Sequence, residues 1–408
     1  MNILHINQSD VYGGAGIAAY RLHRGLLAQK IESRLLVKRA RTKDDRVGEV
    51  PRIPSIENKV LWFTDHWGLN SLNILSTFTV LPKHPFFRKA DLLHFHNLHN
   101  GYFNYLALSR LTKVKPAVFT LHDMWSFTGH CAYSYDCDRW KIGCGKCPYP
   151  ETHPPIKRDH TRLECKLKKR AYRRSHLTIV TPSRWLAEQA QQSMLNRFPI
   201  HHICNGVDTH AYQPIDREKC RALLGLTANQ KVLMFVAANF GDPRKGGELL
   251  TKALRSLPQA LKQDICLLTM GDEDESISRV VGMNTLHLGY VGNDRLKSIA
   301  YSAADLFVFP TRADNLPVVI QESMACGTPV VSFNVGGVPE MVDPGMTGYL
   351  ARPGDDQDFS RGILELLEDE TLRHRMGQEC RRFVLEHYAL ENQARRYIEL
   401  YRQVLGKG

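Results

Sequence analysis

The sequence predicts an α/β protein of two domains, each built on a parallel sheet flanked by helices. Three observations carry that prediction. Short apolar, β-branched runs recur along the chain, each ending in a polar or glycine-bearing loop that leads into a stretch with helical periodicity. Strands that alternate with helices in this way build parallel sheets. The chain has 408 residues, enough for two domains of about 150 to 200 residues with separate cores. Its charge is also divided: residues 1–204 hold 31 Lys and Arg against 15 Asp and Glu, and residues 205–408 hold 23 against 27. The first half therefore faces an anionic partner, which could be membrane phospholipid, a lipid diphosphate or nucleic acid.

At 43% hydrophobic and 24% charged residues, the composition is that of a folded globular chain, not a disordered one. The opening residues MNILHINQSD lack a basic stretch and a long apolar core, so they do not read as a signal peptide. No run reaches the roughly 18 apolar residues that would span a bilayer. Ten cysteines in such a chain argue for reduced thiols or a metal, not a disulfide framework. The expected location is the cytoplasm.

In chain order, Asn2 to Asn7 reads as the first strand, running into Val11-Tyr12-Gly13-Gly14-Ala15-Gly16 and a helix from Ile17 to Gln29. Glycines between a first strand and a first helix let a ligand approach the backbone, and they serve a tight turn equally well. The loop lacks the GxGxxG spacing and the partner acid of a dinucleotide fingerprint. Leu35 to Val37 is a second strand, and residues 40–90 read as irregular and aromatic-bearing. Asp91 to His96 is a strand with histidines at its carboxyl end, followed by His99 and Asn100. With no carboxylate or cysteine beside them, these side chains read as a polar wall and not as a metal site. Ala117 to Leu121 is the next strand, and His122 follows where parallel sheets place active groups.

Cys131, Cys137, Cys144 and Cys147 then form C-x5-C-x6-C-x2-C. Four thiolates at this spacing can close tetrahedrally around a structural Zn²⁺; two disulfides or four free thiols would use the same residues. Lys157 to Arg174 is a basic amphipathic helix with Leu163, Leu167, Ala171 and Tyr172 on one side. It reads either as a solvated face or as peripheral contact with anionic lipid.

Thr178 to Pro182 is a strand, and Ser183 caps a helix to about Met194. In the second half, Lys231 to Ala238 is a strand leading to Asn239 and then Arg244-Lys245-Gly246-Gly247, ahead of a helix from Glu248. Basic residues before a helix N-terminus can hold a diphosphate. Ile265 to Met270 is another strand, closing on Gly271-Asp272, and Leu286 to Val291 follows. Leu306 to Phe309, a helix from Val318 to Cys326 and Thr328 to Phe333 make a βαβ unit, with Gly336 and Gly337 after it. Asp314 and Glu322 frame that helix. An acid near a helix N-terminus is electrostatically favourable, and a carboxylate can accept from both vicinal hydroxyls of a ribose. A helix-stabilising acid with no ligand fits the spacing as well. From Asp358 to about Leu405 the tail is helical.

The run Asp314-Asn315-Leu316-Pro317-Val318 through Glu322-Ser323-Met324-Ala325-Cys326-Gly327-Thr328-Pro329 resembles the acid-x7-acid signature of glycosyltransferase family 4 (group 1). The segments Thr120-Leu121-His122-Asp123 and Cys144-Gly145-Lys146-Cys147-Pro148 are similar to its bacterial exopolysaccharide branch, typified by colanic acid transferases. The resemblance implies a GT-B fold: two Rossmann-like domains with a cleft between them and a C-terminal helix crossing back to the first. Residues 1–204 (with a Cys-rich insert, 131–147) would present the acceptor, 205–385, entered at Asn205-Gly206-Val207-Asp208, would bind the donor, and 386–408 would form the returning helix.

The implied reaction is retaining transfer from a UDP- or GDP-sugar to a hydroxyl of a glycan or polyprenyl-diphosphate-linked acceptor in surface polysaccharide synthesis. It would need no cofactor for catalysis, would run at the inner face of the plasma membrane and would involve no nucleic acid. Carried over residue by residue, the resemblance gives Glu322 to the donor ribose and places Asp314, with Asn315, Leu316, Pro317 and Val318, near the donor sugar. It gives His122 a contact to sugar or phosphate, Lys245 and the nearby Arg244 to the diphosphate, and Val291 to the base-reading loop. Gly336 and Gly337 would offer amides to phosphate, and Gly14 and Ala15 would lie at the cleft. Two positions depart from the pattern: the family's first acid is usually Glu where this chain has Asp314, and an Arg six residues before the Lys is Asn239 here. They keep open an inactive, membrane-associated scaffold; a sugar-nucleotide epimerase is another enzyme of the same fold.

Overall fold

Among the described residues the strands form two sheets in which every pairing is parallel. The computed structural model describes residues 1–408 apart from 70–71, 238, 272–281 and 407–408, and apart from the side chains of 63 and 65. The expected strand end at Ala238 and the Asp272 turn lie outside the described residues.

The first sheet contains β1 (Asn2–Ser9), β2 (Glu32–Arg39), β3 (Val47–Glu49), β4 (Leu92–Phe95), β5 (Ala117–Thr120), β6 (Thr178–Thr181) and β7 (Ile200–His202), in the order β3-β2-β1-β4-β5-β6-β7. The second contains β8 (Lys231–Ala237), β9 (Ile265–Gly271), β10 (Asn284–His287), β11 (Leu306–Phe309), β12 (Val330–Phe333) and β13 (Gly348–Ala351), in the order β10-β9-β8-β11-β12-β13. Helices cover both faces of such sheets, which is why β4, β5, β11 and β12 are buried at every residue and read as mostly apolar runs, unbroken in β11 and carrying one polar residue each in β4, β5 and β12. In each sheet the strand order reverses once, between β1 and β4 and between β8 and β11. The carboxyl ends at those reversals are where open α/β sheets place ligands.

The chain divides into two compact units, Met1–Asn205 together with Glu391–Gly408, and Gly206–Leu390. The helix Leu390–Val404 completes the first: Tyr397, Ile398, Leu400 and Tyr401 pack with Ile3, Leu22, Leu26, Leu92, Val118, Val180 and Ile203. Residues 386–390 stay with the second unit. No described helix is long and apolar enough to cross a membrane.

Three expectations change. The first helix spans Gly14–Ala28, because Gly13 at φ 73° turns the chain directly into it, so Gly14 and Ala15 form a helical turn and not a loop. Residues 40–90 are not irregular: they hold β3 and helices at Pro54–His66, Ser76–Thr79 and Pro85–Lys89. Their aromatics follow no single face, Trp62 being 75% exposed and Phe87 buried, which hid the period. The basic helix spans Thr161–Arg173, and one of its cations points inward. Lys168 is buried, donating from Nζ to the carbonyls of Trp125 (2.6 Å) and Thr128 (3.0 Å), beside a buried Glu164 that accepts from the Tyr105 hydroxyl (2.5 Å).

Candidate functional site

In the second unit the strands that flank the reversal, β8 and β11, end in loops that hold each other. After β8 a tight turn, Pro243–Lys245, is capped by Asp242, whose carboxylate accepts the Arg244 N–H at 3.0 Å. Gly246 follows at φ 71°, and a Cβ there would lie 1.9 Å from the Pro310 carbonyl oxygen, so only glycine permits this approach to the end of β11. The Arg312 N–H (2.8 Å) and the Thr311 hydroxyl (3.1 Å) both donate to the Arg244 carbonyl.

This seam brings two cations onto one acid. Asp314 Oδ2 accepts from Lys245 Nζ at 2.7 Å and Arg244 Nη1 at 3.0 Å. The side chains are 12%, 18% and 24% exposed for Asp314, Lys245 and Arg244, so water screens the group only partly. Burial alone would raise the Asp314 carboxyl, but the charges of Lys245 and Arg244 outweigh it and hold the group below the usual carboxylate range. Burial, then the neighbouring Arg244, lowers the Lys245 ammonium, with Asp314 opposing. Beneath Nζ lies the Phe309 ring, 5.0 Å to its centre.

The loop after β12 is seated on the same acid. Gly336 has φ 54°, a Cβ there would come within 2.0 Å of the Asp314 carbonyl oxygen, and the Gly337 N–H donates to that oxygen at 3.2 Å. The Gly337 amide thus anchors the loop, so it is not directed at a phosphate. Asn315, Leu316 and Val318 are buried at the start of the helix Val318–Ala325, whose N-cap, Pro317, has no side-chain acceptor for its first N–H groups. Glu322, 2% exposed in that helix, accepts from the Tyr301 hydroxyl at 3.1 Å. Tyr301, on the helix Asp294–Ala303, carried no signal in the sequence. Val291 lies half-buried in the loop before that helix.

In the first unit, Asn7 on β1 donates to the Ala15 carbonyl (3.3 Å), fixing the first turn of the glycine-led helix. His122 lies two residues past β5, half-buried, with its Nε2 3.0 Å from His96 Nδ1; His96 Nε2 is 3.0 Å from His5 Nδ1. The β4 histidines are therefore not an open polar wall. His94, His96 and His99 are buried, and the returning helix supplies polar and aromatic partners to the first of them. His94 Nδ1 meets Tyr401 Oη and Nε2 meets Thr120 Oγ1, each at 2.7 Å, and His99 Nε2 meets Asp123 Oδ2 at 3.0 Å. Burial lowers His5, His94 and His96 well below the ordinary histidine range, and His122 to about 4 with Asp123 opposing.

The four-cysteine expectation meets a different arrangement. Cys131, Cys137, Cys144 and Cys147 are free thiols. Among the described residues the one group of three His, Cys, Asp or Glu side chains whose ligand atoms lie within 4.8 Å of one another is His5, His94 and His96. No three of the four cysteine sulfurs lie that close to one another, and two of them have hydrogen-bond partners nearby. The Cys144 sulfur accepts from the Gly129 N–H (3.2 Å), and Cys147 lies 3.2 Å from His130 Nε2. A hydrogen bond from Cys165, then the Gly129 N–H and the Lys168 charge, draws the Cys144 thiol below its ordinary value, whereas burial pushes Cys131 up to about 12.

Comparison with known proteins shows the family and the fold. The family described as "Glycosyl transferases group 1" matches residues 216–383, and "Glycosyltransferase Family 4" matches residues 12–211. The chain is 28% identical over 365 residues to the putative colanic acid biosynthesis glycosyl transferase WcaC of Escherichia coli, covering 84% of this chain and 85% of that one. Two further curated relatives are matched over only 54% and 34% of their own length. Among solved structures, sucrose-phosphate synthase from Thermosynechococcus elongatus superposes with TM-score 0.73 at 19% identity over the whole of both chains. Anabaena Alr3699/HepE in complex with UDP-glucose superposes with TM-score 0.66 at 18% identity, over 99% of this chain and all of that one. The chain belongs to the group 1, family 4 glycosyltransferases and has their GT-B fold.

Proposed function

We propose that this glycosyltransferase moves a sugar, with retention, from a nucleotide-sugar to a hydroxyl of a glycan or polyprenyl-diphosphate-linked acceptor in polysaccharide synthesis. The observation that carries the proposal is the pair of cations, Arg244 and Lys245, held by Asp314 where β8 and β11 end. They supply positive charge to a departing nucleoside diphosphate, with the uncapped N-terminus of the helix Val318–Ala325 adding to it. Asp314 orients both cations and lies nearest the sugar, and Glu322, steadied by Tyr301, accepts the ribose hydroxyls.

The acceptor oxygen attacks the anomeric carbon on the face from which the diphosphate leaves. The bond from that carbon to the diphosphate breaks, and the acceptor's proton passes to the departing phosphate oxygen. The neighbour solved with UDP-glucose supports a nucleotide-sugar donor, and the relative named for colanic acid biosynthesis supports a polysaccharide product. We also propose peripheral contact with anionic lipid on the cytoplasmic side, through the exposed Lys157, Arg158, Arg162, Lys166, Lys169, Arg170, Arg173 and Arg174.

A thermal-shift screen of UDP, GDP and their sugars tests the donor site, because a ligand bound by the folded state raises Tm by mass action. A shift with one base that disappears in Glu322→Ala supports it. Nucleotide binding without transfer across a donor panel would overturn the enzyme reading in favour of a scaffold.

A further inference from the structure

In the first unit, the segments at the carboxyl ends of β2, β3 and β4 meet at one point. Lys38 stands near the end of β2, Arg52 lies three residues past β3, and Asn100 and Gly101 follow β4. Asn100 and Gly101 both have positive φ, 71° and 69°. Their consecutive carbonyls each accept from a cation: Lys38 Nζ donates to Asn100 at 2.8 Å, and Arg52 Nη1 donates to Gly101 at 3.1 Å. A Cβ built on Gly101 would meet nothing within 4 Å, so space is open beside the turn. Burial, then the Arg52 charge, lowers the Lys38 ammonium, the mark of like charges held together. Glu57, fully buried, fixes the guanidinium by accepting the Arg52 Nε–H, and it also accepts the Ser76 N–H at 2.8 Å. Arg52 Nη2 and the remaining Lys38 ammonium protons have no acceptor among the described residues. Guanidinium N–H donors beside an ammonium suit phosphoryl oxygens. The carboxyl ends of parallel strands are also where such sheets take ligands. We propose that Lys38 and Arg52 form an anion subsite that takes the diphosphate of a lipid-linked acceptor.

The helix that supplies Glu57 argues for the lipid. A surface helix ordinarily buries its apolar stripe. Pro54–His66 does the reverse: it buries Glu57 and Thr64 and exposes Ile56 (51%), Leu61 (43%) and Trp62 (75%). Exposed apolar side chains gathered on one element mark a binding surface, and Ile56 is next in the chain to the acid that holds Arg52. A phosphoryl anion joined to a hydrocarbon chain is complementary to both features, whereas a free phosphate uses the cations alone. A neutral glycan would leave the like charges unneutralised, so of the two acceptor classes proposed above the diphosphate-linked one fits. Calling this ligand the acceptor rests on the transferase reading; the binding of a lipid diphosphate does not.

The test maps lysine acetylation of the whole protein near neutral pH by peptide mass spectrometry, which reads Lys38 apart from Lys245 at the donor site. An anion held against an ammonium raises its pKa by about one unit or more, so the reactive free amine falls about tenfold. Geranylgeranyl diphosphate at saturation should therefore slow acetylation of Lys38 by about tenfold and leave the exposed Lys30 unchanged. Inorganic pyrophosphate should do the same only at higher concentration, and geranylgeraniol should not protect Lys38. In Arg52→Gln, which removes a charged donor, either diphosphate should be needed at about tenfold higher concentration. Trp62→Ser should remove the preference for the prenyl compound and keep the protection by pyrophosphate. Protection of Lys38 by neither diphosphate, equal protection by sulfate at matched ionic strength, or equal slowing at Lys30 overturns the subsite. Protection by pyrophosphate at or below the concentration of the prenyl compound assigns the site to free phosphate and overturns the lipid-linked ligand. If Arg52→Gln, which strands Glu57, does not fold, the wild-type pattern alone decides. Failure of wild type to transfer sugar would count against the transferase reading and leave the Lys38 result standing.

Discussion

Replacing Asp314 by Asn keeps the shape of the side chain and removes the charge that holds two cations together. Lys245 and Arg244 then repel each other with less water around them than at a surface, at 18% and 24% side-chain exposure. Breaking a fully buried pair costs about 3–5 kcal/mol, and an exposed pair is worth 1 kcal/mol or less. This partly buried triad falls between, so Asp314→Asn should cost about 2 kcal/mol. At roughly 2–4 °C per kcal/mol for a unit of this size, Tm falls by about 4–8 °C.

The sign with pH follows from the depressed carboxyl of Asp314. Its contribution is complete above the unfolded aspartate value of about 3.9 and is lost as pH falls through the lower folded value. The gap between wild type and variant should therefore be full at pH 7 and close under strong acid. Calorimetry of both proteins at pH 7 and in acid measures this. Nucleoside diphosphate should still bind the variant, since its cations remain, while sugar transfer falls by on the order of a hundredfold. A variant as stable as wild type at pH 7, or a gap that widens in acid, would refute the argument.

Lys245→Ala should reduce turnover strongly through loss of leaving-group charge, and near-normal activity would detach this loop from the reaction. Lys168→Met, which leaves the Trp125 and Thr128 carbonyls without their buried donor, should cost about 2 kcal/mol in denaturant unfolding. The triple reversal of the exposed Lys169, Arg170 and Arg173 to Glu should change stability little and release the protein from anionic liposomes; unchanged binding would remove the lipid contact. Iodoacetamide at neutral pH should alkylate Cys144, whose thiol is drawn down, before Cys131, whose thiol is pushed up to about 12; peptide mass mapping gives the order.

The strands were legible in the sequence because a parallel sheet buries both faces, so β4, β5, β11 and β12 appear as short, mostly apolar runs. Helix starts were legible where a side chain caps them, as Ser183 does by accepting the Leu186 N–H at 3.1 Å. The site was legible where its parts lie within one stretch: Asp314 with its loop, and Arg244 beside Lys245. What the sequence hid are partners far apart in the chain. Tyr301 reaches Glu322 across 21 residues and His5 reaches His96 across 91, and no local period links them. Lys168 was hidden by its company, because a lysine among lysines looks solvated until Trp125 and Thr128 are folded over it. The cysteine spacing likewise carried no sign of the Gly129 N–H and the His130 ring that meet two of the sulfurs.

The helix Leu390–Val404 has a consequence for biosynthesis. The hydroxyls of Tyr397 and Tyr401 complete the hydrogen bonds of Thr120 and His94, deep in a core whose strands all precede residue 205. A ribosome adding about 5–20 residues per second needs roughly 10–40 s to travel from the last of those strands to the helix. Through that interval the nascent first unit carries an uncovered apolar face and unsatisfied buried polar groups, while the second unit is still being made. Chaperone occupancy should therefore be greatest in that interval and fall once the helix emerges, so the first unit, though synthesised first, is the last to finish folding.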